Sequence, residues 1–392
     1  MRGHPWRARA LGAALALAAS GPLAAATLAV GPGLVYPRVA DAAAAARDGD
    51  EIEIAAGTYA ADVAVWTQRR LVIRGVGGRP VMDAQGTVAE GKAIWVFRNG
   101  DYVVDNVEFR GARAPDLNGA GIRFEQGRLR VRGCRFIDNE MGILTSNDPE
   151  SALEIQDSEF AHAPRDRGLR KHLLYVGRIG SFRITGSHFH DGFEGHLVKS
   201  RARTSEVRYN MLYDDLDGRA SYELEFPNGG VAIVVGNVIG QSATTTNPVV
   251  VDYGAEGAAW PDNALHLVNN TLVSDFGHGA WFLRVHESSF TPPASVVAVN
   301  NLTVGLGVFT LGARGTFAGN YPAVASALGD VAVLDFALGK RSWLRGRGVG
   351  LPKRGGVDLA PTAEFNLPVG TRPIARPRSW TPGAFQTLDP RR

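Results

Sequence analysis

Cysteine is nearly missing from this sequence. Cys134 is the single one in 392 residues, so no disulfide within the chain can staple the fold, and stability must come from a large apolar core. Methionine is sparse, at four residues, and no low-complexity tract interrupts the chain. There is no Cys-based zinc pattern, no G-x-S-x-G and no phosphate-binding loop, which removes three common routes to chemistry. Helical periodicity is nearly absent, and no L-x-x-L-x-L-x-x-N pattern recurs, which argues against leucine-rich repeats. A large net charge is missing too. The formal value is +3, but Arg2, Arg7 and Arg9 sit at the extreme N-terminus, and without them 39 basic residues face 39 acidic ones. Global basicity therefore gives no argument for a nucleic-acid partner.

The N-terminus has the form of an address. Arg2, Arg7 and Arg9 make a positive region, Leu11 to Ala19 an apolar one, and Ala24-Ala25-Ala26 a small-residue cleavage site. Residues 1–26 are expected to be a signal peptide, with Thr27 as mature start and a periplasmic or extracellular destination. The apolar run is too short, and too broken by Gly21-Pro22, to span a bilayer. No membrane attachment is expected after cleavage.

What the chain does have is a repeat of apolar-x-x-(small or Asn)-x-apolar. It reads Val104-Asp-Asn-Val107-Glu-Phe109, Val131-Arg-Gly-Cys134-Arg-Phe136, Ile155-Gln-Asp-Ser158-Glu-Phe160 and Ile184-Thr-Gly-Ser187-His-Phe189. It continues as Val207-Arg-Tyr-Asn210-Met-Leu212, Val234-Val-Gly-Asn237-Val-Ile239, Leu267-Val-Asn-Asn270-Thr-Leu272 and Val297-Ala-Val-Asn300-Asn-Leu302. The units end 27, 24, 29, 23, 27, 33 and 30 residues apart. That length suits one coil of three short strands, and is too short for propeller blades of about forty residues. The expected fold is all-β: a right-handed parallel β-helix of about ten coils, a solenoid over residues 27–312. Asn210, Asn237, Asn270 and Asn300 are expected to stack as an asparagine ladder, which also accounts for the sequons at Asn269 and Asn301. Cys134 falls on an inward position. Residues 313–392 lack the repeat and are expected to form coil remnants and an extended tail along the helix. A monomer is expected.

The N-terminal passage carries a resemblance. A short helix over Val39-Ala-Asp-Ala-Ala-Ala-Ala-Ala46 precedes Gly49-Asp50-Glu51-Ile52-Glu53-Ile54, Gly57-Thr58-Tyr59 and Leu71-Val-Ile-Arg-Gly75. The order resembles the opening of the pectate-lyase-like superfamily of secreted β-helix proteins. The resemblance implies that this helix caps the solenoid end, which would otherwise expose core and strand edges. It says little about chemistry, because that fold hosts lyases, hydrolases, epimerases and non-catalytic adhesins.

One stretch departs from neutrality. Residues 165–208 hold ten Lys/Arg against four Asp/Glu, with His172, His188, His190 and His196 among them. A local cationic face suits an acidic glycan. Tyr175, Lys199 and Glu223 are 24 residues apart, one coil each, and alternation places them outward. Asp252 and Arg284 are expected to extend that row, with Arg201, Glu225 and His286 two residues on, and His172, Arg178, His196, Tyr222 and Tyr253 as further substrate contacts. His188-x-His190 could take part in a metal site, but no third ligand stands at a convincing spacing.

These groups suit β-elimination of a uronate, in which a base removes the weakly acidic C5 proton while positive charge or a metal neutralises the carboxylate. Glu194-Gly-His-Leu-Val-Lys199-Ser200 resembles the "E-x-x-x-x-K-S" strand of the alginate lyase and chondroitinase B group, and Tyr209-Asn210-Met-Leu212 their "N-N-x-F" turn. The resemblance implies Lys199 as base and Glu194 as a Ca²⁺ ligand. Gly192 stands where that group has a second acid, and Arg219 is offset from its arginine. The expected activity is a polysaccharide lyase on an acidic polysaccharide, with Lys199, Tyr175, Glu223 and Arg201 as the catalytic set. A non-catalytic glycan-binding β-helix, or hydrolysis or epimerisation by Glu223 and Glu225, are the alternatives.

Overall fold

The computed structural model describes residues 25–166, 171–215, 218–351 and 358–387, so most of the expected signal peptide lies outside the described residues. None of the described helices is long and apolar enough to cross a membrane.

Most coils are built from strands of three to five residues, joined into runs of 13 at Ala93–Asp105 and Ala120–Arg132, and alternation buries every second side chain along much of their length. In Ala152–Gln156, for example, Leu153 and Ile155 are buried. Successive coils pair in parallel and in register, so Ile155 stacks between Val131 and Ile184. The result is a three-faced solenoid. Two faces belong to one twenty-stranded sheet, and eleven short strands make the third. The third face carries a stack of Phe109, Phe136, Phe160 and Phe189 into the core, with ring centroids 5.1, 4.5 and 4.5 Å apart. Cys134 is buried in the same core, where desolvation pushes its thiol up to about 12 and leaves it inert.

Helix α1 (Val39–Ala45) closes the N-terminal end, burying Val39, Ala42 and Ala43. Asp62 on the next coil caps it, accepting from the Val39 and Ala40 N–H groups at 2.6 and 3.0 Å.

The ladder is present with one correction. Each rung accepts the backbone N–H of the rung before it: Ser187 bonds Asn210, then Asn237, Asn270, Asn301 and Asn320 follow at 2.9–3.0 Å. The rung is Asn301, not Asn300. The strand Ser295–Val299 pairs Ala298 with Leu267, one residue off the expected frame. Val297 and Val299 flank Ala298, so the apolar pattern fits both frames. Asn300 instead holds the tail through Val349, at 2.9 and 2.7 Å.

The solenoid continues past residue 312, where coil remnants are expected. Thr316–Ala318 and Tyr321–Ala323 complete a last coil beyond residue 312. The tail then returns along the outside of the third face. Phe336, Leu338, Leu344, Phe365 and Ala384 cover Met211, Val238, Val273 and Leu302. That cover explains why the outward positions of this face are apolar in late coils and charged (Glu108, Arg135, Glu159) in early ones.

Candidate active site

One face differs from the others in how its strands bend. In the strands His196–Ser200, Tyr222–Phe226, Val249–Tyr253 and Ala280–Val285, two consecutive residues enter the core before alternation resumes. Leu197 with Val198, Val250 with Val251 and Phe282 with Leu283 are all fully buried core residues. Glu223 and Leu224 occupy the same pair of positions. The next residue points out, and pairing stacks Tyr175, Lys199, Glu225, Asp252 and Arg284 in one column.

This overturns the expected place of Glu223. Strict alternation put it outward beside Lys199; the double inward step puts Glu225 there and sinks Glu223 into the core. Glu223 is 0% exposed, and neither carboxylate oxygen has a hydrogen-bond partner among the described residues. Desolvation, with Asp214 adding to it, raises its pKa well above the usual carboxylate range. It can touch no substrate. Tyr253 is corrected for a related reason: its position is inward, it stacks on Phe290 at 5.1 Å, and its hydroxyl donates to the Gly230 carbonyl at 2.6 Å.

A folded-state pKa above the unfolded one means that the native state holds the proton more tightly, so stability falls as pH rises through that window. Replacing Glu223 with Leu is expected to stabilise the protein at neutral pH by about 1–3 kcal/mol, the cost of an unpaired buried polar group. The gain should shrink under acid conditions, where taking up the proton costs nothing and only the unpaired polar group remains; urea unfolding at both pH values measures it.

Around the outward column the charges interlock. Lys199 Nζ lies 2.9 Å from Glu225 Oε2 and 3.1 Å from Glu256 Oε1. His196 Nδ1 is 3.0 Å from the same Glu225 oxygen. Arg201 donates to the Tyr175 hydroxyl at 2.8 Å, grips both Glu256 oxygens at 2.7 and 3.0 Å, and also bonds Asn228. Burial would raise Glu225, but His196 and Lys199 outweigh it and lower its pKa. The Arg201 hydrogen bond, helped by Lys199, brings Glu256 down to about 2. His196 shifts down because it is desolvated.

The other expected contacts divide. His172 accepts the His196 N–H at 3.0 Å and its ring lies 4.5 Å from that of His196; Tyr222 packs on the far side of His196 at 4.9 Å. Asp252 is in the column but 0% exposed, sealed behind His286, whose Nε2 is 3.0 Å from its carboxylate. Burial raises its pKa, with Glu225 adding to the rise. Arg284 lies over the Trp281 ring at 5.0 Å. Arg178 is exposed on a turn, its backbone N–H held by Asn147, and makes none of these contacts. Glu194 faces Arg219 at 3.3 Å, and Gly192 adds no carboxylate. Calcium takes six to eight oxygen ligands; a single carboxylate already paired with an arginine does not fit it.

Glu256 and Asn228 were not expected from sequence. Glu256 lies in the loop between Val249–Tyr253 and Ala264–Val268, where the repeat sets no register; the only trace was the long coil of 33 residues that contains it. Beside the cluster, the side chains of Asp116, Asn118, Arg123, Leu144, His172 and Tyr175 line a groove of about 580 Å³. A larger cavity of about 860 Å³ lies at the C-terminal tail around Trp343 and Leu344, remote from this chemistry.

No protein-family model matches the sequence, and no curated protein matches it significantly. Among solved structures, the crystal structure of pectate lyase Pel9A superposes with a TM-score of 0.56 over 84% of this chain and 91% of that one, at 15% identity. The fold is that of a pectate-lyase-like parallel β-helix. A Geobacillus virus E2 chain, ORF18, matches at a TM-score of 0.30 and 10% identity, over 70% of this chain and 53% of its own. At these identities the likeness of the pectate-lyase-like fold extends to architecture alone, and chemistry has to be argued from the side chains.

Proposed function

We propose that this pectate-lyase-like β-helix is an exported polysaccharide lyase that cleaves an acidic, uronate-bearing polysaccharide by β-elimination. The observation that carries the reading is the convergence of Lys199, Arg201 and Tyr175 on one outward face, next to an open groove. Glu256 bridges both cations, as a uronate carboxylate would. In this mechanism the substrate carboxylate displaces Glu256 and pairs with Arg201, a bidentate donor suited to it. That pairing neutralises the charge that develops when the C5 proton leaves. Once Glu256 is displaced, the Lys199 ammonium gives a proton to solvent and, as the amine, takes the C5 proton; the C5 electron pair forms the C4–C5 double bond; the C4–O4 bond breaks. Tyr175, already donor-coupled to Arg201, gives O4 its proton.

Hydrolysis needs one carboxyl group held protonated as the acid. Glu225 and Glu256 flank a single ammonium, but both are shifted down, so neither supplies that proton. Asp252 is shifted up but reaches no solvent. Elimination fits the electrostatics better.

The test is a panel of pectate, alginate, glucuronan and glycosaminoglycans beside neutral glycans. The expected result is ultraviolet absorbance from an unsaturated uronate on an acidic polymer only. New reducing ends without unsaturation would shift the assignment to hydrolysis. Saturable binding with no product would shift it to glycan recognition.

A further inference from the structure

The turns that lead into the Lys199 and Glu225 strands gather a second set of reactive groups. His190 ends the strand His188–His190, and Asp191 follows it. His162 stands one coil back, directly after Glu159–Ala161, and Asp215 stands one coil forward. One ligand atom each from His190, Asp191 and Asp215 lies within 4.8 Å of the others. His190 Nδ1 and His162 Nδ1 both approach the same Asp191 oxygen, at 2.8 and 3.0 Å. The other ring nitrogen of His190 faces Glu159 at 3.3 Å, and Glu159 is itself held by Arg135 at 2.6 Å.

We propose that His190, Asp191 and Asp215, with His162 as fourth donor, bind a divalent transition-metal ion, zinc by donor chemistry. Two imidazoles and two carboxylates make a charge-neutral set around a doubly charged ion, and the mixed nitrogen–oxygen donors favour zinc over calcium, which takes oxygen. The Glu159 contact is the outer-shell partner such a site needs, because a ligating histidine gives its second N–H to a carboxylate that fixes ring and tautomer. The donors also sit where a tetrahedral ion could close on them with small movements, since they come from turns stacked on adjacent coils. Two histidines converge on one largely buried carboxylate oxygen, an arrangement that a shared dication would hold directly.

The ion would tie Asp191 to Asp215, which lie ahead of the strands of His196 and Tyr222 along the chain. Asp214 already joins these turns, accepting from the Gly192 and Ala220 N–H groups at 2.6 Å each. The site is separate from Glu194 and does not depend on the proposed reaction.

The experiment uses full-length protein free of any histidine tag, stripped with chelator, then titrated calorimetrically with zinc chloride alone. Metal content is measured after gel filtration, and thermal unfolding is followed with and without zinc. One ion per chain and a raised melting temperature are expected. Asp215→Asn and His190→Ala should abolish stoichiometric binding, His162→Ala should weaken it about tenfold, and Glu194→Gln should leave it unchanged. Far-UV circular dichroism checks folding, and Asp215→Asn, isosteric and near the surface, keeps the test alive should His190→Ala not fold. No zinc binding by the parent protein, binding that survives Asp215→Asn, or binding of calcium in place of zinc would each overturn the assignment.

Discussion

Asn237→Ala is expected to destabilise the protein by about 3–5 kcal/mol. The Asn237 side chain makes four buried hydrogen bonds. Its Oδ1 accepts from the Asn210 N–H and Nδ2, both at 2.9 Å; its Nδ2 donates to the Val207 carbonyl and to Asn270 Oδ1, both at 2.9 Å. Alanine removes all four and strands the Asn210 N–H in a place water does not reach. Each stranded buried group costs about 1–3 kcal/mol, whereas a hydrogen bond with both partners removed costs far less. The same residue type one position off the ladder provides the control. Asn300 has φ 59°, in the left-handed region, and among the described residues its side chain bonds only Val349 of the tail. Asn300→Gly keeps that backbone and should cost about 1 kcal/mol. Urea unfolding of the two variants would separate them; equal losses would sink the one-residue shift of frame at the last Asn pair.

That shift shows what the sequence could and could not convey. The repeat length and the apolar period were legible because every coil obeys the same register, and stacking makes one coil's pattern a check on the next. Two things escaped it. First, alternation is not unbroken along each strand: the site-bearing strands place two neighbours inward. Tyr175 and Lys199 kept their places, since only two apolar residues precede each. Glu223 did not, because an acid at an inward position reads as outward by composition alone. Second, loops carry no period. Glu256, which closes the charge network, left only a lengthened coil as its trace, and Asp215 became a partner of His190 only when turns from neighbouring coils were seen together.

Lys199 is where the proposed chemistry is most exposed to refutation. Lys199→Ala is expected to lower kcat by about 10²- to 10⁴-fold, the usual reach of a general base. Alanine also leaves Glu225, at 4% exposure, with His196 as its remaining partner, so lost activity alone would not separate chemistry from folding. Lys199→Arg does separate them. Arginine keeps the positive charge beside Glu225 and Glu256 but does not deprotonate near neutral pH. A structural lysine would be rescued by it; a base would not. The expected pattern is therefore a folded, substrate-binding, inactive Lys199→Arg protein. Glu256→Gln should act in the opposite direction on binding. It removes the carboxylate that holds Arg201 and Lys199 in the resting arrangement, so an anionic substrate meets less competition and KM should fall roughly fivefold, about 1 kcal/mol, at low salt. The effect should fade as salt is raised, because Glu256 lies at the exposed edge of the cluster. Should Lys199→Arg retain full turnover while Tyr175→Phe abolishes it, the proton would be leaving to the phenol instead, and the two residues would exchange roles on the same groove.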